Sequence, residues 1–471
     1  MTLIFPIFTM ILFVAYLISD GLVMLASYAQ GKGDREEVDR IFSLGIILSV
    51  CCGIIFFAML FFWRDEILSF WEIFSELKFF ANEYYSGIIF LSLLNLVSLF
   101  NYTIFFAEGM ERACIIAAST AFIVNVILDI VLCKIIGVCG IGLATTFGTL
   151  VSIFVQIYYL TGGRSRLHFK WYWNFKKTLQ GIIFSFYHTV DTLCISILPV
   201  LLSLQTINYF GEEKIIIVTV GVNLLTLILG IYTGIIDCMQ PLICQYHAEN
   251  NLHSVIKAMR IGMNATVVVS LMMIFAGMIF ADFLPTMFGV KDEILADEAA
   301  VAMRYFLPFT IFLGCTQMLG NYYIYIEKIN YGAFIKILML LILPCIGMTI
   351  GGQFSLNIFW LSVGISFAVA YWINFIFTRS RVGLLMIDEE NLSRQISYDI
   401  NATFDEVMAL TKKIDDELTQ RKISDKVRNK IVLCVEEFGL HAVERAKKNI
   451  FQLEFSIFVE DKITLILPAK V

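Results

Sequence analysis

The chain has 471 residues, 59% of them hydrophobic and only 16% charged, with a formal net charge of −6. Water-soluble domains carry about a quarter charged residues, so most of this surface cannot face water, and the acidic excess gives nucleic acid nothing to bind. The 11 cysteines stand singly in apolar runs apart from Cys51-Cys52, with no CxxC spacing, and read as small buried residues rather than metal ligands or disulfides.

A helix needs roughly 20 mostly apolar residues to cross a bilayer. Segments 3–28, 41–63, 84–107, 112–133, 137–161, 179–209, 215–243, 261–282, 304–327, 331–351 and 356–378 each reach that length. The first opens without a basic flank and is too long for a secretory signal, so it reads as a span. Alternate loops differ in basic residues. One set holds Lys32, Arg35, Arg40, Arg112, Arg164, Arg166, Lys170, Lys176, Lys177, Lys257, Arg260, Lys328, Lys336, Arg379 and Arg381. The other holds Arg64, Lys78, Lys134, Lys214, Lys291 and Arg304. The richer set should face the cytoplasm. That places the C-terminus inside, Met1 outside, and the protein in the plasma membrane as a multi-pass chain.

Two features point to a tandem repeat. Ser27-Tyr28-Ala29-Gln30 and Gln245-Tyr246-His247-Ala248 each close an apolar run before a polar loop, and Glu108 and Glu327 are spaced by nearly the same offset. The expected architecture is an all-α polytopic membrane protein of two pseudo-symmetric bundles with a small α+β cytoplasmic tail. The lobes are 1–161 and 179–382, joined by a basic linker at 162–178, and the tail is 383–471. The first lobe holds five of the spans and the second six. That inequality, with the unanchored outward start, suggests that one span is missing before the first. Paired bundles with a substrate path between them are the general plan of secondary transporters.

Acids inside spans are candidates for the transport path. Asn125 and Asp129 lie four apart, on one helix face. An amide oxygen beside a carboxylate can hold Na⁺ or tune a carboxyl that takes up H⁺. Asp129 is also close enough to Lys134 to read as an acid reaching for water at the end of its span. Asp20, Asp191 and Asp237 each read either as ion carriers or as interhelical hydrogen-bond formers. Pro199, Pro241, Pro308 and Pro344 would kink their helices. The many aromatic rings could line a cavity for flat cations, though most should pack or face lipid.

These residues resemble a family. Tyr28-Ala29-Gln30-Gly31-Lys32-Gly33-Asp34-Arg35-Glu36-Glu37 is similar to a loop of multidrug and toxic compound extrusion (MATE) transporters. Asn125-Val126-Ile127-Leu128-Asp129, followed by Gly137-Val138-Cys139-Gly140-Ile141-Gly142-Leu143-Ala144-Thr145-Thr146, resembles that family's N-I-I-L-D and G-V-x-G-A-A-L-A-T stretch. Gln240-Pro241-Leu242-Ile243 resembles the matching helix of the second half. The resemblance covers about residues 1–382. It implies two lobes of six helices and an antiporter, not an enzyme, exporting organic cations or drugs in exchange for H⁺ or Na⁺. It implies no cofactor beyond that ion, and a cationic, amphipathic small-molecule substrate. Asn125 and Asp129 match the family's cation-site positions, while the first helix that would complete the site is the missing one. A lipid-linked oligosaccharide flippase is the alternative within the wider superfamily. The near absence of basic residues inside the spans argues against it.

Composition turns amphipathic after Arg381. A strand at about 394–400, helices at 404–420 and 424–447, and strands at 451–459 and 462–467 fit the pattern. Val435-Glu436-Glu437-Phe438-Gly439-Leu440-His441-Ala442 resembles the ATP-binding helix of histidine-kinase-like ATPases of the anti-sigma type, with the motif E-x-x-x-N. Glu437 matches the Glu, whereas His441 replaces the Asn, and no Gly-rich loop follows. A degenerate nucleotide site, serving as a regulatory or docking domain for a cytoplasmic protein partner, is the expectation. A membrane-anchored sensor with this tail as its output is the third reading.

Overall fold

A computed structural model describes residues 5–70, 75–163, 165–378, 385–387, 392, 395–421, 423–445, 452–459 and 463–466. Arg164, Arg379 and Arg381 of the charge comparison lie outside these residues. The described residues form two compact units, one from residues 1–248 and 258–377, the other from 249–257 and 378–471.

The larger unit is helical. Its first bundle runs α1 (Phe5–Gly31), α2 (Arg35–Phe62), α3 (Arg64–Phe70), α4 (Ser75–Ile88), α5 (Leu91–Ala107), α6 (Glu111–Ile136) and α7 (Val138–Thr161). Its second runs α8 (Phe175–His188), α9 (Val190–Phe210), α10 (Ile215–Ala248), α11 (Leu252–Ile279), α12 (Leu284–Met287), α13 (Glu293–Phe306), α14 (Thr310–Tyr325), α15 (Ile329–Ile337), α16 (Leu343–Gly351) and α17 (Leu356–Thr378). Among the described residues 10 helices are long and apolar enough to cross a membrane, or 11 if the pair Asn82–Ile88 and Leu91–Ala107, bent by 44°, is one span.

Local sequence explains the helix boundaries. Gly33, at φ +72°, turns the chain after α1, a conformation that costs glycine little. Asp34 then caps α2 by accepting from the Glu37 N–H at 3.0 Å. Asn174 does the same for α8 through the Lys177 N–H. Each bundle has its own apolar core. Leu22, Leu44, Leu96, Phe100 and Ile104 fill the first. Leu198, Tyr232, Phe306, Phe359, Trp360 and Phe367 fill the second. Burying apolar area against lipid tails brings little hydrophobic gain, so polar clamps and close packing matter more here. Gln156 of α7 supplies one clamp, donating to Ser98 O at 3.0 Å and accepting from Asn101 Nδ2 at 3.3 Å, both on α5. Outward faces such as Phe122, Ile123, Ile127 and Ile130 of α6 stay exposed, as lipid contact requires.

The bundles meet through α1. The Gly21 N–H donates to Ser185 Oγ of α8 at 2.6 Å, and a Cβ on Gly21 would lie 1.9 Å from Gly181 O. Gln240 Nε2 of α10 donates to Asp20 O, and Tyr28 OH donates to Tyr325 O of α14. A Cβ on Gly31 would lie 2.3 Å from Gln245 O. These contacts run from Asp20 toward the end of α1 that leads into Lys32 and Arg35. Toward the opposite end of α10, Gly230 and Gly234 have open space over them.

The smaller unit is α+β. Strands β1 (Gln395–Asn401), β2 (Gln452–Val459) and β3 (Ile463–Ile466) form an antiparallel sheet in the order β1-β2-β3, with Tyr398 opposite Phe455. Helices α18 (Phe404–Gln420) and α19 (Asp425–Arg445) cover it, placing Leu410, Ile414, Val435 and Ala442 against Leu453, Phe455 and Ile457. Segment 249–257 belongs to this unit. Asn251 Oδ1 accepts from Gln395 Nε2 at 3.1 Å and from Ser456 Oγ at 3.4 Å, while the Leu252 N–H donates to Gln395 Oε1 at 2.8 Å.

Thr403 caps α18, and Glu406 reaches back to Asn401. The Asn401 side chain and then its backbone N–H hold the Glu406 carboxyl below the usual glutamate range. A lowered folded value means stability that is present above the unfolded value, about 4.3, and is lost as pH falls through the folded one. Glu406→Gln should therefore flatten the acid-side loss of amide-exchange protection in α18, below about pH 4.3. An unchanged acid limb in the full-length variant would refute this.

Candidate functional site

A cavity of about 110 Å³ lies where α1 meets the second bundle, lined by Tyr16, Asp20, His188, Thr189, Asp191, Thr192, Ile195, Thr233, Ile236, Asp237 and Asn321. Asp20, Asp191 and Asp237, each singled out from a different span, converge here. Two of them are paired with bases. Asp20 Oδ2 lies 2.9 Å from His188 Nδ1, and Ser19 Oγ donates to Asp20 Oδ1 at 3.3 Å. The other ring nitrogen, Nε2, lies 3.0 Å from Tyr325 OH. That arrangement satisfies both charge states of the imidazole. Neutral His188 donates through Nδ1 and accepts from Tyr325 OH. The imidazolium donates from both nitrogens once the hydroxyl rotates.

Asp191 is held at both oxygens. The Thr192 N–H donates to Oδ1 at 2.9 Å, and Gln317 Nε2 donates to Oδ2 at 3.0 Å. Lys336 Nζ also approaches Oδ2, at 3.4 Å, and donates to His188 O at 2.5 Å. Lys336 is 0% exposed. A buried ammonium without such partners would cost several kcal/mol, roughly the scale of removing one member of a buried ion pair. A π-helical turn, Leu338–Ile342, follows α15 directly, a feature frequent at functional sites.

Asp237 differs. It carries no hydrogen bond or ion pair among the described residues, and its side chain is only partly buried, facing the cavity from α10. Two neighbouring acceptors are also unsatisfied: Gln317 Oε1 and Asn321 Oδ1, on residues each 2% exposed. Buried acceptors without donors are uncommon and point to an absent partner. Asn321 lines the cavity with Asp237, while Gln317 lies behind it on Asp191. A carboxylate and an amide oxygen facing one small cavity suit a proton or a cation. Among the described residues no His, Cys, Asp and Glu cluster suits a metal ion.

A family model described as MatE matches residues 1–131 and 188–346. The chain belongs to the MatE family. As a MatE protein it is a multi-pass membrane transporter and not an enzyme. No curated protein sequence matches it. Among solved structures it is similar to a MATE protein crystallised with MaL6, at 18% identity and TM-score 0.75, over 80% of this chain and 87% of that one. It is also similar to an outward-facing multidrug resistance MATE family transporter of the MOP superfamily, at 18% identity and TM-score 0.74, over 80% and 86%. A third likeness is to a MOP superfamily transporter from Pyrococcus furiosus whose reversed pocket polarity is described as suggesting a different function. That match has 17% identity and TM-score 0.75, over 80% and 86%. At these identities the structures show the fold.

Within this MatE chain, Asn125 and Asp129 do not line the cavity. They sit where α6 packs on α7. Asn125 Nδ2 donates to Thr145 Oγ1 at 3.1 Å, and a Cβ on Gly148 would lie 3.2 Å from Asn125 Cβ. Asp129 Oδ1 is buried without a hydrogen-bond partner among the described residues. In the tail, Glu437 and His441 are both exposed on one face of α19, away from Val435 and Ala442.

Two residues of the site escape the sequence reading. His188 lies in the apolar run 179–209, where a single histidine carries no signal. Lys336 counts there as a loop residue, and the structure corrects this: it is fully buried beside Asp191. A basic residue therefore does lie within a span, against Asp191. Lys336 could have been found from its position inside the apolar segment 331–351, since an ionisable residue within a span is a functional candidate by default.

Proposed function

We propose that this MatE protein is a secondary antiporter that exchanges protons for an organic cation at Asp237. The supporting observation is the unpaired carboxylate itself, set between an Asp20–His188 pair and an Asp191–Lys336 pair at the meeting of the two bundles. Proton and cation compete for Asp237, so binding one releases the other. Nitrogen donors near the other two acids favour a proton over Na⁺, which needs a shell of oxygen ligands.

The close packing of α1 on α8 and α10, from Gly21 to Gly31, supports a state closed on the side of Lys32 and Arg35. Their basic loop supports a cytoplasmic position for that side, and the proposed state is outward-open in the plasma membrane with the C-terminus inside. The tail is read as a regulatory or docking module for a cytoplasmic protein. The oligosaccharide-flippase alternative would need a large basic cavity, and three carboxylates against Lys336 and His188 do not supply one.

The test is exchange in liposomes holding purified, full-length protein. A pH gradient, acid inside, should concentrate external tetraphenylphosphonium across inside-out protein. Accumulation driven by a Na⁺ gradient at equal pH would replace the proton by sodium. Accumulation under neither gradient would refute antiport.

A further inference from the structure

A buried cation lies directly behind the cavity lining, against Asp191. Lys336 is fully buried, its ammonium fixed by His188 O and by Asp191 Oδ2. Asp20, Asp191, Asp237 and Cys194 interact electrostatically with it, and His188, Tyr16 and Tyr325 are the further titratable groups of the site. With His188 neutral and all three acids ionised, three carboxylates and one ammonium would leave two negative charges. Asp20 is engaged by His188 and Ser19, and Asp191 by Lys336, Gln317 and the Thr192 N–H.

We propose that Lys336 determines the charge of the substrate: as a tethered cation filling the Asp191 position, it leaves Asp237 alone to face the ligand and restricts the site to one positive charge at a time. This rests on the reading of the cavity as a cation site and adds a selectivity to it. Selectivity is a difference of affinities and is often built from a repulsive element. Lys336 is that element, because a dication would place its second charge toward an ammonium with little water to screen it.

The experiment measures binding of tetraphenylphosphonium and of the bis-quaternary dequalinium to purified full-length protein at neutral pH. Lys336→Gln should raise the ratio of dication to monocation affinity by about tenfold or more, and Lys336→Arg should leave it near wild type. Asp191→Asn should lower the ratio. The double variant Lys336→Gln with Asp191→Asn removes one charge of each sign and should return it to wild type, which a purely structural role would not do. The double variant also leaves neither member of the Asp191–Lys336 pair without its partner, so it keeps the test open should either single variant fold poorly. A ratio unchanged in Lys336→Gln, or not restored in the double variant, overturns the proposal while leaving the cation site standing. Wild-type protein that binds neither cation overturns both.

Discussion

Asp237→Asn is expected to abolish proton-coupled exchange of tetraphenylphosphonium while leaving the protein folded in the membrane. Asparagine keeps the shape of the side chain and removes its capacity to ionise. No hydrogen bond or ion pair joins Asp237 to a basic residue among the described residues, and Lys336 keeps Asp191 as its partner, so neutralising Asp237 strands no opposite charge. Asp191→Asn would instead leave the buried Lys336 ammonium without its carboxylate, a change that typically costs about 3–5 kcal/mol. Folding and function should therefore separate cleanly at Asp237 and not at Asp191. Losing even about 1.4 kcal/mol of interaction with the cation lowers affinity tenfold, so exchange should fall by at least about that factor. Asp237→Glu should retain part of it. Exchange at the wild-type rate in the asparagine variant, measured in the same liposomes, would remove Asp237 from the transport path.

The second expectation concerns the seam between the bundles. Gly21→Val should loosen the closed end, because its Cβ would lie 1.9 Å from Gly181 O and 2.7 Å from the Ser185 N. Backbone cannot yield as a flexible side chain can, so α1 and α8 must part. Overpacking of this kind costs about 1–3 kcal/mol, and a shift of about 1.4 kcal/mol already changes a two-state population tenfold. Cys244, fully buried beside Gln245 where α10 meets the end of α1, reports on that parting. Its maleimide labelling, followed on its own peptide, should quicken by about tenfold in the variant. The exposed Cys133 should label equally in both proteins. Unchanged protection of Cys244 would mean that the seam absorbs the side chain without opening.

Much of the architecture is written locally in the chain. Helix α18 covers the residues that its apolar spacing marks, Phe404–Gln420, because Val407, Leu410, Thr411, Ile414 and Leu418 form one face and Thr403 caps it. The membrane helices follow the apolar runs for the same reason. The site is different in kind. Its charged groups stand at positions 20, 188, 191, 237 and 336, on helices that nothing in a single sequence aligns against one another. Asn125 and Asp129 were visible because one helix carries both at a spacing of four. Asp20 and His188 are 2.9 Å apart only because Gly21 and Gly181 let two helices cross almost in backbone contact. Lys336 stands near the start of the apolar run 331–351, and a position near a span end does not say which way the helix turns the side chain.

That turning is controlled by the π-helical turn at Leu338–Ile342. Such a turn amounts to one extra residue in an α-helix, so the faces before and after it are out of step by about 100°. Beyond it, Gly351 must remain against α17, where a Cβ would lie 2.8 Å from Ile358 O. With that end anchored, and Gly332 held against Gly320 of α14 at the other, loss of one residue between 338 and 342 would set the packing of Gly351 out of step with the Lys336–Asp191 contact. A lineage could thus gain or lose that contact by a three-nucleotide insertion or deletion, and relatives with the same lysine in sequence need not share it in space.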